Sequence, residues 1–238
     1  MRFCIVGLLL ILIGCQNNDF TSSAGSDRSA PVDESVSDAK LGKKFLISDA
    51  IQLKINRYES IVKKYSKRYG FDWRLIMALI RQESRFNERA RSRVGAKGLM
   101  QIMPGTASEL TSELDIEYIH QNPRENIAAG IYHLYKQFKK LSYMHDNLER
   151  TKFALAAYNS GMGRVRDSRQ IAIYKFNDDQ HWKVLKQCLP LLTSKDWRLH
   201  LQVWEGGKPE YGYFRGSSET VSYVDNIMKY YRANLKFY

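Results

Sequence analysis

A carboxylate on the apolar face of a helix is the first chemically unusual feature of this 238-residue chain. Glu83 shares a stripe with Ile76 and Ile80, at offsets of seven and three, so it stands on the side of its helix that should face a core. A carboxylate placed there is partly desolvated, which raises its pKa and keeps it protonated near neutral pH. A positioned, protonated carboxyl is what a glycosidic oxygen needs from a general acid. The plainer reading is a helix-end glutamate paired with Arg81 or Arg85 at the surface, and stripe geometry alone favours it.

The neighbouring segments change that balance. Glu83-Ser84-Arg85-Phe86 leads into Ser92-Arg93-Val94-Gly95-Ala96-Lys97-Gly98-Leu99-Met100-Gln101-Ile102-Met103-Pro104-Gly105-Thr106-Ala107. Small residues and glycines lie there between one helix end and a new helix opening at Pro104. Such a loop lets backbone approach a ligand closely. Further on, Ala156-Ala157-Tyr158-Asn159-Ser160-Gly161-Met162-Gly163 ends another helix with an aromatic, an amide and two glycines.

In that order, the Glu83-Ser84 pair, the Gly98–Pro104 stretch and the Ala156–Gly161 motif resemble the catalytic domain of the soluble-type lytic transglycosylases, relatives of goose-type lysozyme. Each piece alone is weak; together they are specific. A fourth piece runs from Trp182 through Leu189-Pro190-Leu191-Leu192 and Tyr211-Gly212-Tyr213-Phe214-Arg215-Gly216 to Glu219, Tyr223-Val224 and Ile227. It resembles the C-terminal portion of membrane-bound members of that family. The resemblance spans about residues 55–235. No counterpart of those enzymes' N-terminal solute-binding-protein-like domain is evident, so regulation through such a domain is not expected.

The resemblance implies a mostly α, lysozyme-like (goose-type) fold and a single catalytic acid/base, Glu83. It would protonate the glycosidic oxygen between N-acetylmuramic acid and N-acetylglucosamine. As carboxylate it would then take the proton of the muramoyl C6 hydroxyl as that oxygen attacks C1, giving a 1,6-anhydro product without water. No second carboxylate accompanies Glu83 in the motif region, whereas the usual glycosidase scheme needs one about 5–9.5 Å away. By the same resemblance Ser92, Gln101 and Met103 line the saccharide cleft. Tyr158 hydrogen-bonds near Glu83 and orients it, Asn159 stands beside it, and Glu219 is a second acidic residue with a binding role. The competing readings are loop packing for Gln101 and Met103, a structural role for Tyr158, and a helix N-terminal charge for Glu219. At the level of function, the alternatives are a goose-type muramidase using water and a non-catalytic peptidoglycan-binding lipoprotein.

The elements that must position these residues read as helices. Ile51, Ile55, Tyr58, Val62, Tyr65 and Tyr69 follow a helical period, with Ser48 as N-cap and Gly70 after the last turn. A second helix starts after Asp72 and carries Trp73, Ile76, Ile80 and Glu83. A third runs from about Pro123 to Ser142. A fourth holds Leu148, Thr151, Leu155 and Tyr158 inward, and the last holds Val221, Val224, Met228 and Tyr231. Leu201–Trp204 is the sole, weak strand candidate.

The chain's start suggests where it works. Arg2 precedes an apolar run, Phe3–Gly14, which is too short to span a membrane but fits a signal peptide ending in Leu12-Ile13-Gly14-Cys15. This looks like a bacterial lipobox with Cys15 lipidated. Residues 1–14 are then the signal, 15–45 the lipidated cysteine and a polar tether, and 46–238 the catalytic domain. Gln16 after the cysteine favours the outer membrane, with the protein facing the periplasm. Residues 16–40 carry two bases against five acids, whereas residues 41–238 carry 34 bases against 20 acids, a formal +14 within the whole chain's +12. Such a field attracts anionic polymers. Export makes nucleic acid an improbable partner and leaves the peptidoglycan glycan strand, with the membrane reached through the lipid anchor. Cys188, in an apolar stretch, reads as a buried inert thiol. The five histidines lack paired-ligand spacing, so neither a metal nor a cofactor is expected.

Overall fold

The computed structural model describes residues 49–237, all within one unit spanning Phe45–Tyr238. The signal, lipid and tether expectations, Cys15 included, lie outside the described residues, as does Ser48. The elements are α1 (Asp49–Tyr69), α2 (Trp73–Ser84), α3 (Pro104–Leu114), α4 (Pro123–Lys139), α5 (Asn147–Ser160), α6 (Met162–Phe176), α7 (Trp182–Cys188), α8 (Trp197–Val203) and α9 (Ser217–Phe237). Two 3₁₀ turns, Leu189–Leu192 and Ser194–Asp196, separate α7 from α8. Among the described residues β structure is confined to isolated bridges, Arg91 with Lys97 and Lys97 with Ile102.

Everything is arranged around α2. Asp72, in extended backbone, caps it by accepting from the Arg74 amide at 2.9 Å, and Arg85 ends it in the left-handed region at φ 50. Six consecutive residues, Leu75 to Ile80, are buried, so the helix is enclosed all round rather than along one stripe. Full burial of each large aliphatic side chain contributes roughly 1.5–3 kcal/mol, which makes this segment the axle of the core. The helix α9 packs along it. Tyr231 donates to Asp72 Oδ2 at 3.0 Å and Asn234 donates to the Arg74 carbonyl at 3.0 Å, while Tyr223 meets Glu83 at the other end. The two helices are therefore antiparallel. Around them pack α1, α5 and, against α1 and α5, α4.

A smaller cluster, Ile171, Ala172, Val184, Cys188 and Leu192, joins α6, α7 and the first 3₁₀ turn, with Leu199, Val203 and Trp204 against it. Cys188 is buried and its thiol is pushed up to about 11 by burial, so it stays protonated. Leu201–Trp204 is not a strand: residues 201–203 form the last turn of α8. Leu201 is exposed, while His200 is buried and Leu199 and Val203 pack inward at helical spacing, a period that four residues are too few to show. Three further corrections concern limits. The helix α4 stops at Lys139 and Leu141 is buried from the turn beyond. Leu148 is largely exposed. Gly163 does not close α5 but lies in the first turn of α6, after Gly161 at φ 89.

Candidate active site

Glu83 is the penultimate residue of α2, where the enclosed helix reaches the domain's edge. Tyr223 of α9 donates its hydroxyl to Glu83 Oε1. Burial drives the carboxyl pKa up to about 7, and the Tyr223 hydrogen bond, which favours the ionised form, opposes it. No ion pair among the described residues includes Glu83, so pairing with Arg81 or Arg85 does not occur. No second carboxylate among the described residues perturbs it either. An acid with a pKa near 7 can release and recover a proton at neutral pH, the requirement for serving as acid and then base.

Tyr158, on the last turn of α5, is near enough for the Glu83 charge to act on it; burial first, and that charge second, hold its hydroxyl well above the usual range. The Tyr223 hydroxyl is held up in the same way. Both phenols therefore stay neutral donors. The hydroxyl of Tyr158 does not bond the Glu83 carboxylate itself. Tyr158 donates to the Met100 carbonyl at 2.7 Å, because α5 faces the loop after α2 while α9 faces the carboxylate. Tyr158 anchors the loop and Tyr223 orients the acid. Sequence reasoning missed Tyr223 because it lies beside Val224 and Ile227 on a buried stripe and reads as core. The signals for it were its place in the fourth resembling segment and its hydroxyl, since a buried tyrosine needs a partner. His133 stacks edge-on to Tyr158, with ring centroids 5.1 Å apart, and burial pulls it down to about 4, so it too is neutral.

The loop from Arg85 to Met103 is built by its own polar groups. Asn126, buried on α4, accepts from the Met100 amide at 2.8 Å and donates to the carbonyls of Lys97 at 3.1 Å and Ile119 at 3.0 Å. Gly98, at φ 84, passes so close that a Cβ would lie 2.4 Å from the Asn126 amide nitrogen. A side chain on Gly130 of α4 would meet Met100 at 2.5 Å, so small residues let the loop sit directly on the helix. Ser92 Oγ accepts from the Ala96 amide at 2.9 Å. Gln101, at φ 47, donates its amide nitrogen to the carbonyls of Gly98 at 2.8 Å and Ala90 at 3.2 Å. Both therefore brace the loop. Met103, extended and 40% exposed, leads into Pro104 at the start of α3.

On the other side Asn159 Oδ1 accepts from Thr220 Oγ1 at 2.8 Å, tying the end of α5 to the start of α9. Glu219 is exposed in the first turn of α9, one turn before Tyr223 and so on the same face. The structure thus gathers Glu83, Tyr158 and Tyr223 at one point, with the 85–103 loop on one side and the Asn159–Thr220 contact and Glu219 on the other. Among the described residues no group of three or more His, Cys, Asp or Glu side chains converges as a metal site.

Enclosed helix, end-on acid and bracing loop define a domain of the lysozyme-like, goose-type helical class. Its fold matches the X-ray structure of an inactive glutamate-to-glutamine mutant of the lytic transglycosylase Slt from Pseudomonas aeruginosa, with 28% identity, a TM-score of 0.54, and coverage of 74% of this chain and 24% of that one. The 70 kDa soluble lytic transglycosylase of Escherichia coli matches with 26% identity, a TM-score of 0.54, and coverage of 76% and 24%. The chain belongs to the Transglycosylase SLT domain family, whose model matches residues 60–182. Among curated relatives, the membrane-bound lytic murein transglycosylase F of Desulfosudis oleivorans is 38% identical over 76% of this chain and 37% of its own length. That of Stutzerimonas stutzeri is 36% identical over 76% and 34%. The chain spans about a third of the length of these relatives.

Proposed function

We propose that the chain is a peptidoglycan lytic transglycosylase, a carbon–oxygen lyase that cuts the β-1,4 bond between N-acetylmuramic acid and N-acetylglucosamine in wall remodelling. The observation that carries this reading is the solitary, buried Glu83, poised near 7 and held by Tyr223. Protonated Glu83 donates to the glycosidic oxygen as the C1–O bond breaks, with the substrate's acetamido group assisting at C1. The resulting carboxylate takes the proton of the muramoyl C6 hydroxyl as the O6–C1 bond closes. One proton leaves Glu83 and one returns, and no water is consumed. A single carboxylate suffices because the second nucleophile belongs to the substrate. Met103, Asn159 and Glu219 border the glycan path, and Ser92, Gln101 and Tyr158 keep its loop in shape. Membership of the family and the names of the relatives support this assignment.

The relatives are named as membrane-bound, and among the described residues no helix is long and apolar enough to cross a membrane. We read residues 1–14 as a lipoprotein signal, Cys15 as the lipidated residue, 15–45 as a tether and 46–238 as the catalytic domain, on the periplasmic side of the outer membrane. Digestion of purified sacculi followed by mass spectrometry tests the enzymatic reading. Anhydro-muropeptides are expected from the wild-type chain and none from Glu83→Gln. Products heavier by one water would instead make it a muramidase, and binding without release would make it a wall-binding protein.

A further inference from the structure

We infer that a cavity on the seam between α2 and α9, at the end of α2 that carries Glu83, receives a carboxylate of the peptide stem carried by peptidoglycan. The inference rests on the substrate class proposed above and names a second recognition site for it.

The cavity measures about 440 Å³ and is lined by Arg81, Gln82, Arg85, Asn226 and Tyr230. Every one of these side chains can hydrogen-bond, and two carry positive charge. Gln82 is the chain neighbour of Glu83. On α9, Tyr223, Asn226 and Tyr230 recur at i, i+3 and i+7, one face of the helix, so the cavity and the Tyr223–Glu83 bond lie along the same α2–α9 seam, with Arg81 and Arg85, two residues either side of Glu83, projecting from the opposite side of α2.

The charges in this cavity are unneutralised. Elsewhere in the domain Arg57 pairs with Glu88, Arg74 with Asp72 and Arg169 with Asp179. No ion pair among the described residues includes Arg81 or Arg85. Instead the Arg81 guanidinium lies over the Tyr230 ring, with Cζ 4.2 Å from its centroid. A guanidinium held over a ring face in this way still carries N–H donors for a ligand. The Arg85 amide bonds the Arg81 carbonyl at 3.1 Å, so the two arginines are one turn apart at the helix end.

Two guanidinium forks one turn apart suit a carboxylate. The amides of Gln82 and Asn226 suit the donors and acceptors of a peptide bond. Sugar hydroxyls call for neither charge. In peptidoglycan the stem hangs from the muramic residue, the sugar whose C1 reacts, so carboxylates and amides arrive within reach of this cavity when C1 arrives at Glu83. The helix dipole also favours cations at this end of α2, but a dipolar role alone confers no preference among ligands.

The test is calorimetric titration of the full chain carrying Glu83→Gln, which removes turnover. The probes are the free stem tetrapeptide and the same peptide with its carboxylates amidated. The acidic peptide is expected to bind at least about ten-fold more tightly. Arg85→Gln should abolish that preference, while Arg85→Lys, which keeps the charge, should retain part of it. Equal binding of the two peptides, binding of neither, or an unchanged preference in Arg85→Gln overturns the inference. So does binding of phosphatidylglycerol vesicles with no binding of either peptide, which assigns the cavity to lipid. Sacculus digestion by the wild-type chain is scored separately: release without stem binding removes this site and keeps the enzyme, and stem binding without release does the reverse.

Discussion

Tyr223 donates its hydroxyl to a carboxylate 140 residues earlier in the chain, Glu83, and this contact couples the docking of the last helix to the proton affinity of the acid. Burial raises the Glu83 pKa and the Tyr223 bond restrains the rise. Replacing Tyr223 with Phe keeps the ring and removes the restraint. The Glu83 pKa should then climb above about 7, moving the descending limb of the pH–rate profile, where the proton that Glu83 must donate is lost, to higher pH. Activity should fall on the order of 10–100-fold at neutral pH. Tyr158→Phe serves as the control, since its hydroxyl is bonded to Met100: it should cost stability of about 1 kcal/mol with a smaller displacement of the profile. Equal displacements in the two variants would show that Tyr223 does not set the acid.

The acid also costs the fold something at high pH. Its folded pKa of about 7 exceeds the ordinary 4.5, so the folded state holds more protons than the unfolded state between those values. Stability is then highest below pH 4.5 and declines as pH rises through 7, by up to about 3 kcal/mol. Glu83→Gln has no charge to bury. It should melt on the order of 5–10 °C above the wild type at pH 8 and level with it at pH 4.5, by thermal denaturation followed by circular dichroism. A difference that does not vary with pH would contradict the shifted pKa.

Asn126 holds three backbone groups of the loop and its surroundings at once. Asn126→Ala leaves buried backbone groups without partners, at a cost of roughly 2–4 kcal/mol, and should depress activity through the loop before the domain unfolds. Gly98→Ala should reproduce much of this from the opposite side, because φ 84 and the approach to Asn126 both exclude a Cβ. Denaturant titration together with an activity assay checks both; a neutral Gly98→Ala would refute the close-approach argument.

The formal +14 of residues 41–238 gives a fourth test. If attraction to the anionic wall is electrostatic, Glu83→Gln protein should sediment with sacculi at about 0.1 M salt and largely detach at about 1 M, as the screening length falls from about 10 to about 3 Å. Salt-independent sedimentation would assign binding to the cleft alone.

What was legible in the sequence was what local pattern encodes. Asp72 announced the start of α2, Gly70 the turn before it, and Ile76, Ile80 and Glu83 the face that carries the acid. Even there the stripe understated the case, since periodicity assumes one buried side and residues 75 to 80 have none exposed. The Tyr223 contact depends on antiparallel docking of α9 against α2, which no local period specifies. The bracing role of Gln101 follows from a left-handed backbone at φ 47, unusual outside glycine and invisible in composition. The Tyr158 hydroxyl turns to a backbone carbonyl that only the folded loop presents.

The enclosure of α2 has a consequence for how the domain opens. With Leu75 to Ile80 buried on every side, their amides have no route to solvent through fraying or partial opening, and should exchange hydrogen only by global unfolding. Native-state exchange in mild denaturant can measure this; faster, sub-global exchange in that segment would argue against it. The helix that carries Glu83 thus belongs to the last cooperative unit to unfold, so the Glu83 carboxylate should keep its place in every partly opened form that retains the core.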